Sequence, residues 1–215
     1  MLLSDKVVIV SGIGPGLGVK LALEAARQGA TLVIAARNAE RLQQAAADIE
    51  ALGLGTEVLW QATDIADASQ CRTLAAAALE RFGRIDALIN SAFVPGEFSM
   101  ASDANLDDWR QTMEVNFFGS MNMSQAVIPS MKAQGSGSIV MVNTMVVHKP
   151  MPTQAGYGAS KAALLSATNH LALELGAHNI RVNSVFMGWM WGPNVESYFQ
   201  MMSQHSGTPV EELVA

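Results

Sequence analysis

Two side chains with acid–base chemistry, Tyr157 and Lys161, stand four residues apart in a strongly helical segment. Residues at this spacing share one helix face, so the phenol and the ammonium are predicted to be neighbours. A free phenol, with a pKa of about 10, is a poor catalyst at neutral pH, and lowering that pKa by about three units needs roughly 4 kcal/mol. A nearby ammonium supplies such a field. With the hydroxyl of Thr144 as a hydrogen-bond donor to a substrate oxygen, the pair predicts an oxidoreductase site rather than a hydrolase site.

A glycine-rich loop supports this interpretation, since a Tyr-x-x-x-Lys spacing alone is also compatible with a surface pair. The strand candidate Val7 to Val10 runs directly into Ser11-Gly12-Ile13-Gly14-Pro15-Gly16-Leu17-Gly18, and a helix follows. Glycines permit tight turns and let backbone N–H groups approach a pyrophosphate at the helix N-terminus. A purely structural turn also needs glycine, but the position between the first strand and the first helix favours a dinucleotide site.

The end of the second predicted strand bears on the choice of dinucleotide. The sequence there is Ala35-Ala36-Arg37-Asn38, without the carboxylate that typically binds the ribose of NAD. Arg37 can contact the additional phosphate of NADP through two hydrogen bonds, or it can stack on adenine. The alternative is a solvated arginine that precedes a helix capped by Asn38. We therefore expect NADP(H), with NAD(H) possible.

Short β-branched runs alternate with Ala-rich helical stretches, which predicts a single α/β domain over residues 1–215 with a Rossmann-like, doubly wound parallel sheet flanked by helices. The strand candidates are Val7 to Val10, Thr31 to Ala35, Glu57 to Gln61, Ala87 to Asn90, Ser138 to Val142 and Arg181 to Val185. The helix candidates are Val19 to Gln28, Ala39 to Leu52, Ala68 to Phe82, Leu106 to Gln134 and Tyr157 to Ala177.

Residues 186–215 are irregular and rich in Met, Trp and Pro, which suggests a flap over the substrate. Two interpretations of its aromatic residues remain open. Trp189, Trp191, Tyr198 and Phe199 either line a pocket or pack a helix from Val195 to Gln204 onto the core.

Composition excludes several classes of function. With 13 basic and 19 acidic residues the formal net charge is -6, and no basic run marks a site for nucleic acid or an anionic membrane. The four histidines have no partner at metal-ligand spacing, so no metal is assigned. The single cysteine, Cys71, fits a reducing compartment, and no apolar run is long enough to span a membrane. We expect a cytoplasmic protein that acts on a small molecule.

Taken together, these motifs resemble those of the short-chain dehydrogenase/reductase family, shorter-chain subclass, up to about Gly192. The family's Thr-Gly-x-x-x-Gly-x-Gly and Tyr-x-x-x-Lys motifs match Ser11, Gly12, Gly16, Gly18, Tyr157 and Lys161. The adenine-contacting Asp, the Asn-Asn-Ala-Gly motif and the helix asparagine match Asp64-Ile65, Asn90-Ser91-Ala92-Phe93 and Asn116.

The resemblance implies a role for each matched residue. Tyr157 would exchange the proton, Lys161 would lower its pKa and hold the nicotinamide ribose, Asn116 would anchor a water, and Thr144 stands for the usual serine. The expected cofactor-binding residues are Ser11, Gly12, Gly14, Gly16, Leu17, Gly18, Arg37, Asn38, Asp64, Ile65, Asn90, Ala92, Tyr157, Lys161 and Gly188. The expected substrate pocket consists of Phe93, Thr144, Met145, Tyr157, Met187, Trp189 and Trp191.

Several departures from the family pattern bear on substrate and assembly. Phe93 replaces a glycine and is expected to narrow the pocket. Met187 replaces a proline. Trp191 stands near the position at which the family often has a threonine that contacts the nicotinamide carboxamide, which puts that contact in doubt. Many NADP-dependent relatives have a cation where this loop has Pro15, which keeps NAD(H) open. Relatives also continue through another helix and a seventh strand, so the usual C-terminal end is expected to be missing.

The resulting prediction is an NADP(H)-dependent alcohol dehydrogenase or carbonyl reductase that acts on a small apolar substrate, with cyclic and aromatic compounds as candidates. The alternative is a non-catalytic NADP(H)-binding or sensor protein of the same fold. The helices Leu106 to Gln134 and Tyr157 to Ala177 resemble those that pair subunits, which predicts a homodimer or homotetramer, unless their apolar faces belong wholly to the monomer core.

Overall fold

A computed structural model describes residues 1–214; Ala215, the last residue of the predicted flap, lies outside the described residues. One sheet of six parallel strands forms the centre, in the order β3-β2-β1-β4-β5-β6. The strands are β1 Val7–Ser11, β2 Thr31–Ala36, β3 Val58–Ala62, β4 Ala87–Asn90, β5 Gly137–Thr144 and β6 Ile180–Met187. Each contains most of one predicted strand, and the predicted doubly wound α/β fold is confirmed.

Helices cover both faces of this sheet. They are α1 Leu17–Arg27, α2 Ala39–Glu50, α3 Ala68–Phe82, α4 Leu106–Met113, α5 Ser120–Gln134, α6 Ala155–Leu175, α7 Pro193–Ser206 and α8 Val210–Val214. Among the described residues, no helix has the length and apolar character needed to cross a membrane.

Successive side chains of the central strands point to opposite faces of the sheet, and this creates two hydrophobic cores. Val8 and Val10 of β1 pack with α1 and α2 on one face of the sheet. Val7 and Ile9 point to the opposite face, where α3, α5 and α6 cover them. All five residues of β1 are buried, as a parallel sheet between two helical layers requires. Burying one such aliphatic side chain contributes about 1.5–3 kcal/mol, so the central strands anchor the loops at their ends.

The predicted helix Leu106 to Gln134 is interrupted. A π-helical turn, Glu114–Gly119, lies between α4 and α5 and places one additional residue in the helical turn that contains Asn116. Turns of this kind occur frequently at functional sites. The apolar periodicity continues through the segment, so the sequence pattern did not reveal the interruption. The predicted helix of the flap is longer than expected, because α7 begins at Pro193, where proline is favoured in the first turn.

Candidate active site

A cavity of about 900 Å³ opens at the carboxyl ends of the strands. Ligands of open parallel sheets bind at this edge, where the order of the strands reverses. Here the reversal lies between β1 and β4, since the chain adds β2 and β3 on one side of β1 and β4 to β6 on the other. The glycine loop lines one end of the cavity, and Tyr157, Lys161 and the flap line the other. The volume suits a dinucleotide together with a small second ligand.

The glycines of the loop divide into two groups. Gly12 has φ +106°, and a Cβ there would lie 2.2 Å from the backbone N of Ala92. A Cβ on Gly18 would lie 1.9 Å from the carbonyl oxygen of Gly12. Gly14 and Gly16 have open space instead, on the cavity wall. The first group thus closes the turn, and the second leaves room for a ligand to approach the backbone.

The N-terminus of α1 faces this space, and no described side chain caps its N–H groups or offsets its positive dipole. Gly16 at the N-cap offers no side-chain hydrogen bond, and the first turn contains no acidic residue. The free N–H groups and the helix dipole there favour an anion. These features fit the pyrophosphate of a dinucleotide.

Cationic side chains lie at the far end of the cavity. Arg37 follows β2, is exposed and lines the wall. Arg41 and Lys20 line the same wall, and neither was predicted from the sequence. Asn38 caps α2, because its Oδ1 accepts a hydrogen bond from the backbone N–H of Arg41 at 3.0 Å. The spacing of four residues between Arg37 and Arg41 is the signal that was available in the sequence.

Two predicted cofactor-binding residues, Ser11 and Asn90, are not on the cavity wall. They are register partners on β1 and β4, and both are buried. The amide of Asn90 donates to Ser124 Oγ at 3.1 Å, whereas Asn90 Oδ1 and Ser11 Oγ have no partner among the described residues. Their position implies that they support the loops that follow β1 and β4 from within the sheet, behind the cavity wall.

The other residues predicted to bind the cofactor lie on the wall. Asp64 and Ile65 follow β3, and the carboxylate of Asp64 accepts a hydrogen bond from the backbone N–H of Ala66 at 3.0 Å. Ile65 packs closely on Gly119: a Cβ added to Gly119 would lie 2.6 Å from Cδ1 of Ile65. Leu17, Ala92 and Gly188 also line the cavity.

The predicted catalytic pair lies at the start of α6. Lys161 is 2% exposed, and its Nζ donates to the carbonyl oxygen of Val142 at 2.8 Å. That Nζ lies 6.0 Å from the centroid of the Tyr157 ring. Burial raises the pKa of Tyr157, while a hydrogen bond with the side chain of Thr144 acts in the opposite direction. The phenol is therefore held protonated, and the lowering of its pKa that was expected from Lys161 is not seen in the protein alone.

Asn116 connects α6 to the loop after β4. Its Oδ1 accepts from the backbone N–H of Val94 at 2.8 Å, and its Nδ2 donates to the carbonyl oxygen of Val94 at 2.9 Å. Nδ2 also donates to Ser160 Oγ at 3.0 Å, and that hydroxyl donates to the carbonyl oxygen of Tyr157. Asn116 is fully buried and is not on the cavity wall, so the structure gives it a positioning contact; the water it was expected to anchor stays a prediction.

Apolar and aromatic side chains enclose the space next to Tyr157. The ring of Phe93 lies 6.1 Å from that of Tyr157, and Met145, Met187 and Trp189 line the same space. Most of the aromatic residues of the flap take the first of the two roles considered for them, and none of them packs in either core cluster of the described residues. Trp189, Trp191 and Tyr198 line the cavity, and Phe199 packs against them without reaching the wall.

The wall also contains residues that no sequence motif marked. Gln154 lies just before α6 with a half-buried side chain, and Phe98 belongs to the loop after β4. Their contribution depends on how distant segments fold together, which local spacing does not reveal. No group of three or more potential metal ligands occurs within residues 1–214.

Burial also lowers the pKa of Lys161, to about 8, and this predicts a pH dependence of stability. An unfolded lysine has a pKa of about 10.4, so between these values the unfolded chain binds more protons and the free energy of unfolding rises with pH. We expect the wild type to gain about 2 kcal/mol relative to Lys161→Met between about pH 7.5 and about pH 9.5. Urea unfolding of both proteins at the two pH values measures this gain.

The exposed Lys132 provides the matched control for this experiment. The stability difference between the wild type and Lys132→Met should not change with pH in the same window. Equal pH dependence in the two variants would show that burial of the Lys161 ammonium is not the cause.

Comparisons with known proteins agree with this arrangement. A family model described as short chain dehydrogenase matches residues 6–203. Dehydrogenase/reductase SDR family member 4 of Homo sapiens is 33% identical over 186 residues, which cover 86% of this chain and 66% of that protein. Levodione reductase of Leifsonia aquatica is 30% identical over 199 residues, which cover 93% of this chain and 74% of that protein.

Solved structures show the same fold. The crystal structure of NAD+-bound xylitol dehydrogenase superimposes with a TM-score of 0.90 at 29% identity, over 96% of this chain and 79% of that one. The chain thus spans about two thirds to four fifths of the length of these proteins.

Proposed function

The chain belongs to the short-chain dehydrogenase family, as the match over residues 6–203 shows, and we propose that it is an oxidoreductase that interconverts a ketone and a secondary alcohol with NADP(H). One observation carries this proposal. Tyr157, Lys161 and Thr144 lie at one end of the cavity whose other end is the glycine loop, so a dinucleotide and a carbonyl can occupy it side by side.

The residues of the loop and of the strand ends would hold the cofactor. Gly14 and Gly16 leave space for the pyrophosphate at the N-terminus of α1, and Asp64 and Ile65 line the path toward adenine. When bound, the nicotinamide would supply a hydride to the carbonyl carbon in reduction, or accept one in oxidation. The residues of the protein therefore have to supply or remove the proton.

Tyr157 is the proposed proton donor in reduction. As the electron pair of the carbonyl double bond moves onto oxygen, the phenol gives its proton to that oxygen and becomes a phenolate, which later regains a proton from solvent. In this proposal the hydroxyl of Thr144 donates a hydrogen bond to the same oxygen and so stabilises the developing charge. The ammonium of Lys161 stabilises the phenolate. The raised pKa of Tyr157 maintains the protonated form, which is the form that reduction requires.

NADP(H) is preferred over NAD(H) in this proposal. Arg37 and Arg41 line the cavity beyond the glycine loop, and the end of β2 offers no carboxylate to a ribose. Guanidinium groups bind phosphate through paired, charge-assisted hydrogen bonds. The xylitol dehydrogenase of similar structure was crystallised with NAD+. NAD(H) is therefore the second candidate for this chain.

Arg37→Ala is expected to raise the Michaelis constant for NADPH about tenfold or more and to change that for NADH much less. The reason is the loss of a charge-assisted contact of about 1.5–3 kcal/mol that only the additional phosphate of NADP makes. Steady-state kinetics with both cofactors measure the two constants. Arg72→Ala, at an exposed position on α3 away from the cavity, serves as the control. Equal effects on NADPH and NADH would remove the basis for the preference.

The proposed substrate is a small apolar carbonyl or alcohol, cyclic or aromatic in character. Support comes from the apolar wall beside Tyr157, to which Phe93, Met145, Met187, Trp189 and Trp191 contribute. Such a wall excludes water and favours substrates that bury apolar surface.

The test is oxidation of NADPH and, in parallel, of NADH by the purified protein with cyclic, aromatic and aliphatic carbonyls. Turnover with a cofactor preference is expected. Cofactor binding without turnover of any carbonyl would overturn the enzymatic function and favour the non-catalytic binding protein.

We further propose a cytoplasmic homodimer or homotetramer that pairs through the helices α4–α5 and α6. These helices expose large apolar side chains, namely Leu106, Phe118 and Leu173, which a partner subunit would cover. The only thiol, Cys71, is buried, and burial raises its pKa to about 11, which suits a non-reactive residue in a reducing compartment. Light scattering of the purified protein measures the assembly.

A further inference from the structure

An aromatic stack joins two separate segments above the cavity. The ring of Tyr198, on α7, lies 5.1 Å from that of Trp189 at an interplanar angle of 27°. The same ring lies 5.8 Å from that of Phe98, in the loop between β4 and α4. Tyr198 therefore provides an aromatic contact between the flap and the loop on the opposite side of the cavity opening.

All three rings of this stack line the cavity, and we call Phe98, Tyr198 and Trp189 the aromatic roof. Phe199 touches the roof without lining the cavity. Its ring lies 5.4 Å from that of Trp189 and 5.6 Å from that of Tyr198. Neighbouring positions on α7 thus carry one ring that faces the ligand space and one that does not.

Charge is distributed unevenly along the same cavity. Four charged side chains on the wall, Lys20, Arg37, Arg41 and Asp64, belong to segments at the cofactor end. Near the roof, the described wall contains only one charged group, Lys161, whose Nζ already donates to the carbonyl oxygen of Val142. The other described side chains there are apolar, aromatic or neutral polar. A carboxylate buried beneath the roof would lose its hydration without a dedicated partner, which is costly.

We propose that Tyr198 is a specificity-determining residue, which holds the aromatic roof closed over a mostly apolar chamber and so selects neutral ring carbonyls over linear and carboxylate-bearing ones. This inference rests on the oxidoreductase function proposed above. A planar or ring-shaped substrate gains dispersion and stacking contacts beneath the roof that a flexible chain makes less well. Tyr198 does not take part in the proton transfer.

The experiment compares kcat/KM for three ketones with NADPH: a neutral ring ketone, a linear ketone of the same carbon count, and the ring ketone bearing a carboxylate. For Tyr198→Ala we expect the ring-to-linear ratio to fall about tenfold, because a stacking contact of about 1.4 kcal/mol between the roof and the substrate ring is lost. Discrimination against the carboxylate should weaken in the same variant, because water enters the opened chamber. The Michaelis constant for NADPH should not change.

Two further variants separate selectivity from general damage to the flap. Tyr198→Phe keeps the ring and should restore the wild-type ratio. Phe98→Ala removes the other side of the same contact and should reproduce the loss, even if Tyr198→Ala fails to fold. Phe199→Ala is the matched control, because it removes a ring that packs on the roof from outside the cavity.

The outcomes distinguish this inference from the function on which it rests. Turnover with a ring-to-linear ratio that is unchanged in Tyr198→Ala and Phe98→Ala would overturn the role of Tyr198 alone. A loss of ratio in Phe199→Ala as large as that in Tyr198→Ala would also overturn it, since any disturbance of α7 would then suffice. Wild-type protein that binds NADPH but turns over no ketone would overturn both the oxidoreductase function and this inference.

Discussion

Tyr157→Phe is expected to lower kcat by about two to four orders of magnitude, because the substitution removes the proposed proton donor to the substrate oxygen. The aromatic ring and its 6.1 Å contact with Phe93 remain, so the fold should be unaffected. Affinity for NADPH should stay within a factor of a few. Single-turnover reduction, followed by NADPH absorbance, measures the effect on the chemical step.

The chain provides an internal control for this experiment, since Tyr198 is its only other tyrosine. Tyr198→Phe also removes a hydroxyl on the cavity wall, yet it should leave kcat nearly unchanged. If Tyr157→Phe retained most of the activity, the proton would have to come from elsewhere, and the proposed role of Tyr157 would be wrong.

Gly18→Ala is expected to destabilise the folded protein by on the order of 3 kcal/mol, which corresponds to a fall in melting temperature of roughly 6–12 °C. The new Cβ would lie 1.9 Å from the carbonyl oxygen of Gly12, and neither atom belongs to a side chain that can rotate away. The first turn of α1 would have to separate from the loop. Thermal unfolding followed by circular dichroism measures the change.

Gly14→Ala is the matched control for this prediction. Gly14 lies in the same loop and has no positive φ, and a Cβ added there would meet nothing within 4 Å. Its melting temperature should therefore stay close to the wild-type value, while its affinity for NADPH should fall if a pyrophosphate approaches the open backbone there. Equal melting temperatures for the two variants would contradict the division of the loop into closing and ligand-facing glycines.

The strands and most helices were predictable because their causes are local. Val7 to Val10 and Leu32 to Ala35 are buried on both faces, and such runs are recognisable without knowledge of their partners. The π-helical turn at Glu114–Gly119 was not predictable in this way. It changes the helical register without changing the apolar pattern, and the hydrogen bonds of Asn116 that accompany it reach residues distant in the sequence.

The candidate site was predictable only in part, for a related reason. Glycine spacing and the Tyr-x-x-x-Lys pattern identify residues that belong to one turn or one helix face. Gln154 and Phe98 join the wall only after tertiary folding, so no spacing marks them, whereas Arg41 was marked only by its spacing of four residues from Arg37. Asn90 shows the converse: its motif suggests a cofactor contact, whereas its position on β4 directs its amide toward Ser124 below the wall.

Asn116 attaches the loop after β4 through the backbone of Val94 rather than through a side chain. The identities of the residues around this attachment, including Phe93 and Phe98, can thus change during evolution without detaching the loop from α6, the helix that carries Tyr157. New preferences can arise there by single substitutions while Tyr157 keeps its position, since Ser160 and Asn116 hold it from the other side. A lineage with this arrangement can acquire different substrates without first rebuilding its chemistry.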